Sequence, residues 1–399
     1  MVQNLSYMVI IEAIFWISGI VLFYCYAGYG LLLYVLNFFK SSFNKTSHGK
    51  GFEWPSVTLI IAAWNEAEVL EQKIINTLNL DYPTGKLKII CITDGSDDDS
   101  VAIVQKYPSI TLLHMPSRQG KVAALNRAVK YVETPIVFFS DANAMLNTEA
   151  IRRMTAHFKN TGIGGVAGEK KILETMTSSI GKAEGLYWRY ESFLKTQDAA
   201  FHSVVGAAGE LFAIRTELWQ SLDENIILDD FIISMQVRLM GYRFAYEPKA
   251  WSMEAPSISF AEERKRKVRI AAGAFQSINY LSGALNFRKN TILSFQFFSR
   301  RILRWFVAPV LLPLLAILNF LIVLNESSSF YLIIFVVQVI FYMSAFTGYI
   351  LYKFNKQPGW LNAPLYFVFM NSCMISGSML FFKNDHSVLW DKSLRESFE

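Results

Sequence analysis

The amino-acid sequence predicts an α/β domain with a doubly wound, mostly parallel sheet, flanked at both ends by membrane-spanning helices. Three observations predict it. Between Trp54 and about Leu285, short apolar runs alternate with segments of helical periodicity, the pattern of a sheet wrapped by crossover helices. Long runs almost free of charge precede and follow that region, each matching the ~20 residues of a spanning helix. The 399 residues are 52% hydrophobic and 18% charged, with a mean hydropathy of +0.27. That is too apolar for an ordinary soluble chain and too rich in core-forming residues for a disordered one.

The first run, residues 8–39, carries only Glu12. It has neither the basic start nor the small-residue cleavage site of a signal peptide and is too long for one, so it reads as a membrane helix. Lys40, Lys45 and Lys50 follow it, which by the positive-inside rule puts the next segment in the cytoplasm. The chain divides into an N-terminal transmembrane helix (1–45), a cytoplasmic domain with interface helices (50–285) and a C-terminal membrane region (290–399). In the middle part, 57–63, 87–93, 110–115 and 135–140 read as strands buried on both faces, with helices at 66–80, 98–107 and 121–132.

After Arg300, Arg301 and Arg304 come three apolar stretches, 305–324, 330–352 and 364–382. Lys353 and Lys356 fall on the same side as the arginines, as a two-helix hairpin requires. A further crossing puts the C-terminus outside, whereas Lys383, Lys392 and Arg395 favour the cytoplasm. Asn371, Ser372, Ser376, Gly377 and Ser378 in the last stretch suit a re-entrant or broken helix as well as a crossing.

The net charge of +5 fits cytoplasmic loops, and no arginine-rich stripe accompanies it, so no nucleic-acid partner is expected. Cys25 and Cys373 lie in apolar runs and Cys91 in a strand, none at metal-ligand spacing, so three buried thiols are expected.

In an open α/β sheet, ligands bind outside the carboxyl ends of the strands. Ala63-Trp64-Asn65-Glu66 follows the first strand, Asp94-Gly95-Ser96 the second and Ser140-Asp141-Ala142-Asn143 the fourth. Any one could be a turn or helix cap; three at strand ends favour a ligand site. The first strand lacks the glycine-rich turn of a dinucleotide site, and Gly120-Lys121 lacks the rest of a Walker loop. Farther on, Asp229 and Asp230 open a helical run; paired carboxylates raise one pKa toward a working base. Arg266 and Arg269 share a helix face, spaced for diphosphate oxygens or for a membrane surface. Trp188 belongs to an aromatic cluster, 186–191, suited to stacking on sugars, to a membrane interface or to a core.

Taken in order, these segments resemble the membrane-bound family 2 glycosyltransferases, the group of cellulose, hyaluronan, chitin and poly-N-acetylglucosamine synthases. Leu80-Asp81-Tyr82-Pro83, Arg118-Gln119-Gly120-Lys121, Gly206 through Gly209, Leu228-Asp229-Asp230-Phe231 and Arg266-Lys267-Val268-Arg269 complete the series. Each is weak alone; their shared order over nearly the whole chain is specific. The resemblance implies a GT-A-type doubly wound mixed sheet with N- and C-terminal transmembrane helices. It implies an inverting transfer of a hexose or N-acetylhexosamine from a UDP-sugar to a glycan acceptor at the bacterial inner membrane, in polysaccharide synthesis.

By the same resemblance Asn65, Glu66, Asp94, Gly95, Lys121, Asp141 and Arg266 hold the donor. Trp188, Gly206 and Gly209 face the acceptor, and Asp230, with Asp229 and Arg269, does the chemistry. Asp141 and Asn143 occupy the Asp-x-Asp position for Mg²⁺ or Mn²⁺. Two departures stand out: Asn143 replaces an aspartate, and Arg266 and Ile270 replace the glutamine and tryptophan of Gln-x-x-Arg-Trp. The second weakens a processive reading, so transfer of a single sugar to a lipid-linked acceptor is the alternative. Polymer secretion through about four helices would call for a second copy or a secretion partner. A rival of another class is an inactive nucleotide-sugar sensor or transport scaffold; Asp230, Lys121 and Arg269 argue against it, because binding alone needs no base.

Overall fold

The computed structural model describes residues 2–41, 53–173, 179–383 and 395. Lys45, Lys50 and Lys392 lie outside the described residues. One eight-stranded sheet is built from β1 (Val57–Ala63), β2 (Leu87–Asp94), β3 (Thr111–Met115), β4 (Ile136–Asp141), β5 (Met145–Leu146), β6 (Ile163–Ile172), β7 (Phe212–Arg215) and β8 (Arg243–Glu254). Their spatial order is β3-β2-β1-β4-β7-β6-β8-β5. The first four are mutually parallel; β7 runs antiparallel to β4 and β6, β6 is parallel to β8, and β5 is antiparallel to β8. All seven residues of β1 are buried, as a central strand covered on both faces requires. The expectation fails for β3. It is an edge strand paired only with β2, and its residues are half-buried or exposed.

The helices are α1 (Val2–Phe23), α2 (Tyr29–Ser41), α3 (Ala67–Leu78), α4 (Ser100–Gln105), α5 (Lys121–Val129), α6 (Ala150–Thr155), α7 (Ser179–Phe201), α8 (Asp229–Leu239), α9 (Phe260–Tyr280), α10 (Thr291–Phe297), α11 (Ala308–Asn325), α12 (Ser329–Lys353) and α13 (Asn362–Phe382). On one face of the sheet, α3, α4 and α6 bury Leu70, Ile74, Val104, Ile151 and Met154. On the other, α5 and α8 bury Val122, Leu125, Phe231, Ile232 and Met235. Four helical stretches are long and apolar enough to cross a membrane: Tyr7–Lys40, Thr291–Asn325, Ser329–Lys353 and Gly359–Phe382.

The domain is fastened to these helices by a buried charge cluster. The π-helical turn Phe298–Val307, joining α10 to α11, carries Arg300, whose guanidinium meets Glu191 at 2.6 Å and Asp198 at 3.2 Å, both on α7. Arg304 adds a second bond to Glu191 at 2.7 Å, and the Tyr29 hydroxyl on α2 donates to Asp198 at 2.5 Å. Every charge here has a partner, which is the condition for burying ions without a large penalty.

Candidate active site at the strand tips

Register fixes where the tips fall. Ala62 pairs with Asp141 and Ala63 with Thr93. Asp94 and Asp141 therefore end the two strands flanking β1, ~10 Å apart at ordinary strand spacing.

Asp94 is buried and its carboxylate shapes the next loop. Oδ2 accepts the N–H groups of Gln119 and Gly120 at 2.8 and 2.6 Å, and Oδ1 meets the Arg127 guanidinium at 2.5 Å. Gly95 permits this approach: its φ is +68°, and a Cβ would lie 2.6 Å from the Arg118 backbone nitrogen. Across the cleft, the Asn65 carboxamide closes on Asp97, accepting its N–H at 3.0 Å and donating to its carboxylate at 2.6 Å. The Glu66 N–H donates to Ser100. The Arg118 guanidinium stacks 3.4 Å over the Trp64 ring, a pair of planar surfaces at the mouth of the site.

Held by the Asp94 clamp, Lys121 starts α5 and reaches Asp141 at 2.8 Å and Asp229 at 3.4 Å. Gly209 marks the point where three side chains meet. A Cβ there would stand 3.2 Å from Lys121 Nζ and 3.5 Å from both Asp141 Oδ2 and Asp230 Oδ2. Gly206, with φ +91°, lets the Phe231 ring pack where a Cβ would be 2.2 Å from it. Chain segments as distant as 121, 141, 209 and 230 thus share one pocket.

The two carboxylates that open α8 have different surroundings. Asp229 faces the Lys121 ammonium. Burial, reinforced by the Asp229 charge, pushes the Asp230 carboxyl up to about 7, only partly opposed by Lys121. Burial disfavours the Lys121 charge, but Asp141, Asp229 and Asp230 outweigh it and hold the ammonium above the ordinary lysine range. A carboxyl held near neutrality beside a fixed ammonium is what acid–base chemistry near neutral pH requires.

Behind this pocket lies a relay of ion pairs that sequence reasoning did not reach. Glu210, next to Gly209, pairs with the buried Lys170, which also meets Glu254 at 2.6 Å. Glu254 in turn meets Arg395 at 2.8 Å. The Asn143 amide is assigned from its neighbours, its NH₂ toward Glu254 (3.2 Å) and its oxygen toward Arg395 (3.1 Å). Lys73 is also new. It is fully buried, donates to Ser140 at 2.7 Å and to the Ala144 carbonyl, and so brackets Asp141 from beneath. Burial lowers it to about 7. Its signal was available: it sits on the apolar stripe Leu70, Ile74, Thr77 of α3, where a lysine is out of place.

The remaining expected residues lie around this centre. Arg266 is engaged by the buried carboxylates of Glu184 at 2.5 Å and Glu263 at 3.0 Å, tying α9 to α7. Arg269 is half-buried one turn before Gly273, which packs on Ile227 and Leu228, the residues leading into Asp229. Trp188 is surrounded by the ammonium groups of Lys170, Lys195 and Lys267 at 5.0–5.9 Å.

Among the described residues no three His, Cys, Asp or Glu side chains form a metal cluster. Asp141 offers one carboxylate with Oδ2 facing Gly209, and Asn143 is turned to Glu254 and Arg395. That donor set fits Mg²⁺ or Mn²⁺ only in the regime where one carboxylate and substrate phosphates share the ion.

Residues 55–273, more than half of the chain, match the model of the glycosyltransferase-like family 2. The chain belongs to this family. Curated relatives agree. The poly-beta-1,6-N-acetyl-D-glucosamine synthase of Staphylococcus aureus strain COL is 26% identical over 275 residues, 66% of this chain and 63% of that protein. The synthase of Staphylococcus epidermidis is 26% identical over 280 residues, 67% and 64%. The aligned region spans just under two thirds of the length of these relatives. A mannosyltransferase from Pyrobaculum calidifontis, solved with GDP-Man and Mn²⁺, superimposes with a TM-score of 0.70 at 19% identity, covering 94% of this chain and all of that one. The family 2 protein therefore has the GT-A fold and is a glycosyltransferase, as its motifs predict.

Proposed function

We propose that this family 2 enzyme is membrane-integrated, with its catalytic domain in the cytoplasm, and transfers a hexose or N-acetylhexosamine from a UDP-sugar to a glycan acceptor with inversion, in cell-surface polysaccharide synthesis. The observation that carries the reading is Asp230: a carboxyl held near neutrality, sharing a pocket with Lys121 and Asp141. The Asp230 carboxylate accepts the proton of the acceptor hydroxyl while that oxygen forms its bond to the anomeric carbon. The bond from the anomeric carbon to the diphosphate oxygen breaks on the opposite side, and the electron pair leaves with UDP. Lys121 and Arg269 stabilise the charge that develops there, and the Trp64–Arg118 stack and Asn65 border the nucleoside end. A divalent ion bound to Asp141 would neutralise the diphosphate further.

The relatives' poly-N-acetylglucosamine product supports an N-acetylhexosamine donor. A second reading, transfer to a lipid-linked acceptor, is favoured by a cavity of about 280 Å³ between α7 and α13, lined by Tyr187, Tyr190, Arg304, Trp305, Phe367 and Met370. Its wall residue Trp305 packs on Phe231, the neighbour of Asp230, at 5.2 Å. Nucleotide release from purified enzyme should be measured with UDP-glucose, UDP-N-acetylglucosamine, UDP-galactose, UDP-glucuronate and GDP-mannose. Release from one of the UDP-sugars, with polymeric product, is expected. Release from GDP-mannose alone would overturn the donor class, and a single added sugar on a lipid would establish the second reading.

A further inference from the structure

Arg395, near the C-terminal end of the sequence, lies against the catalytic domain. Its guanidinium donates to Glu254 at 2.8 Å and to the Ala255 carbonyl at 2.9 Å, it meets the Asn143 oxygen at 3.1 Å, and its backbone pairs with Ser257. This placement conflicts with four membrane crossings. The catalytic domain lies between the first apolar helix and α10, so crossings by α10–α11, α12 and α13 would leave Arg395 on the opposite side of the bilayer.

The contacts of α12 and α13 resolve the conflict. At the end of α12, the Tyr352 hydroxyl accepts the N–H of Phe260, the first residue of α9, at 3.1 Å, and the two rings pack edge to face at 4.7 Å. The chain has therefore returned to the domain's side by Tyr352. From there α13 runs alongside α9. Tyr366 donates to Glu263 at 3.1 Å, Arg264 donates to Ser376 at 2.8 Å, Gly377 packs on Ala271 and the Val268 carbonyl, and Phe381 stacks on Phe275. The first half of α9 carries Glu262, Glu263, Arg264, Lys265, Arg266, Lys267 and Arg269, a density of charge that hydrocarbon does not admit. A helix that follows α9 along its length lies at the same level. Nor could the tail thread back from the far side: Lys383, Asp385, Asp391 and Lys392 separate α13 from Arg395, charges too closely spaced for a stretch of so few residues to pass through hydrocarbon.

We infer that α13 lies along the catalytic-domain face of the bilayer instead of crossing it, leaving three crossings, and that Arg395 is a positioning residue for the Asp141–Asn143 turn. The first part rests on membrane insertion and the second on the nucleotide-sugar reading above. The topology reconciles the described basic residues: Lys353, Lys356, Lys383 and Arg395 all fall on the side of Arg300. Arg395 also explains how Asn143 is tolerated in place of an aspartate, because a protein cation already faces that position and a second carboxylate, Glu254, holds it.

The test uses full-length protein in sealed vesicles of both orientations, carrying either Ser397→Cys or, as a catalytic-domain marker, the exposed Ser109→Cys; the three native cysteines are buried. Both variants should react with a membrane-impermeant maleimide in the same vesicle orientation, and labelling in opposite orientations would overturn the topology. For the second part, Arg395→Ala should weaken UDP binding in the presence of Mn²⁺ about tenfold, the usual effect of removing a group that orients a ligand. Melting temperature should be unchanged, because Glu254 retains Lys170, and Arg395→Lys should recover part of the affinity. UDP affinity equal to wild type in Arg395→Ala would overturn the positioning role. A wild-type protein that binds no UDP would instead sink the functional reading, while the labelling result would still decide the topology.

Discussion

Two buried charge clusters, one between α7 and the apolar helices and one at the strand tips, are built to opposite specifications. At the membrane side, Arg300 and Arg304 are matched by Glu191 and Asp198, with Tyr29 closing the last valence. At the strand tips, the one Lys121 ammonium is shared among Asp141, Asp229 and Asp230. The first cluster locks helices together; the second keeps a carboxyl at the edge of ionisation. Complete pairing rigidifies, whereas incomplete pairing leaves a group able to change its proton.

The largest effect that separates them is expected from Asp230→Asn. Turnover should fall about 10²- to 10⁴-fold with nucleotide affinity nearly unchanged. Wild-type activity should climb as pH passes through about 7, where Asp230 ionises. The stability sign is opposite: a carboxyl whose folded pKa is raised stabilises the protein only while protonated, so its contribution is lost between the ordinary carboxylate range and about pH 7. Asp230→Asn should therefore melt higher than wild type at pH 8 but not at pH 4. A variant that retains turnover would remove the base assignment.

Breaking the lock should do the reverse. Glu191→Ala strands Arg304, leaves Arg300 with Asp198 alone and should cost about 3–5 kcal/mol of stability, while the fraction still folded keeps its turnover number. A full loss of activity without loss of thermal stability would show that the two clusters are not separable. The smallest effect belongs to Gly209→Ala, whose methyl must displace the Lys121 ammonium by a few tenths of an ångström. Turnover should fall about tenfold through misplacement of the reacting groups, with no change in melting temperature.

Much of the sheet was legible because its signals are local. β1, β2 and β4 are apolar runs ended by polar tips, and the helices between them begin within two residues of the expected positions. The β3 edge was misjudged because apolar composition does not say which strand has a neighbour. The tips themselves could be read, since Asp94, Asp141 and Asp230 stand in ordered motifs. Their partners could not. Lys170 meets Glu254 across 84 positions and Arg395 meets it across 141, and no window of sequence records such pairings. Arg300 and Arg304 were read as a topogenic flank, although two carboxylates 100 residues upstream also claim them. Charge count sets orientation; only the fold assigns partners.

The seam between α9 and α13 carries one more implication. Gly377 admits the Ala271 methyl, Gly273 on the same helix bears on Ile227 and Leu228, and Gln276 grips the Ile227 N–H at 3.0 Å and the Asn225 carbonyl at 2.7 Å. The turn that presents Asp229 and Asp230 is thus suspended from a rod whose other side rests on an apolar helix. In the membrane-integrated enzyme proposed above, lateral pressure in the lipid would bear on that rod, and bilayer thickness and acyl composition would become rate variables for an aqueous reaction.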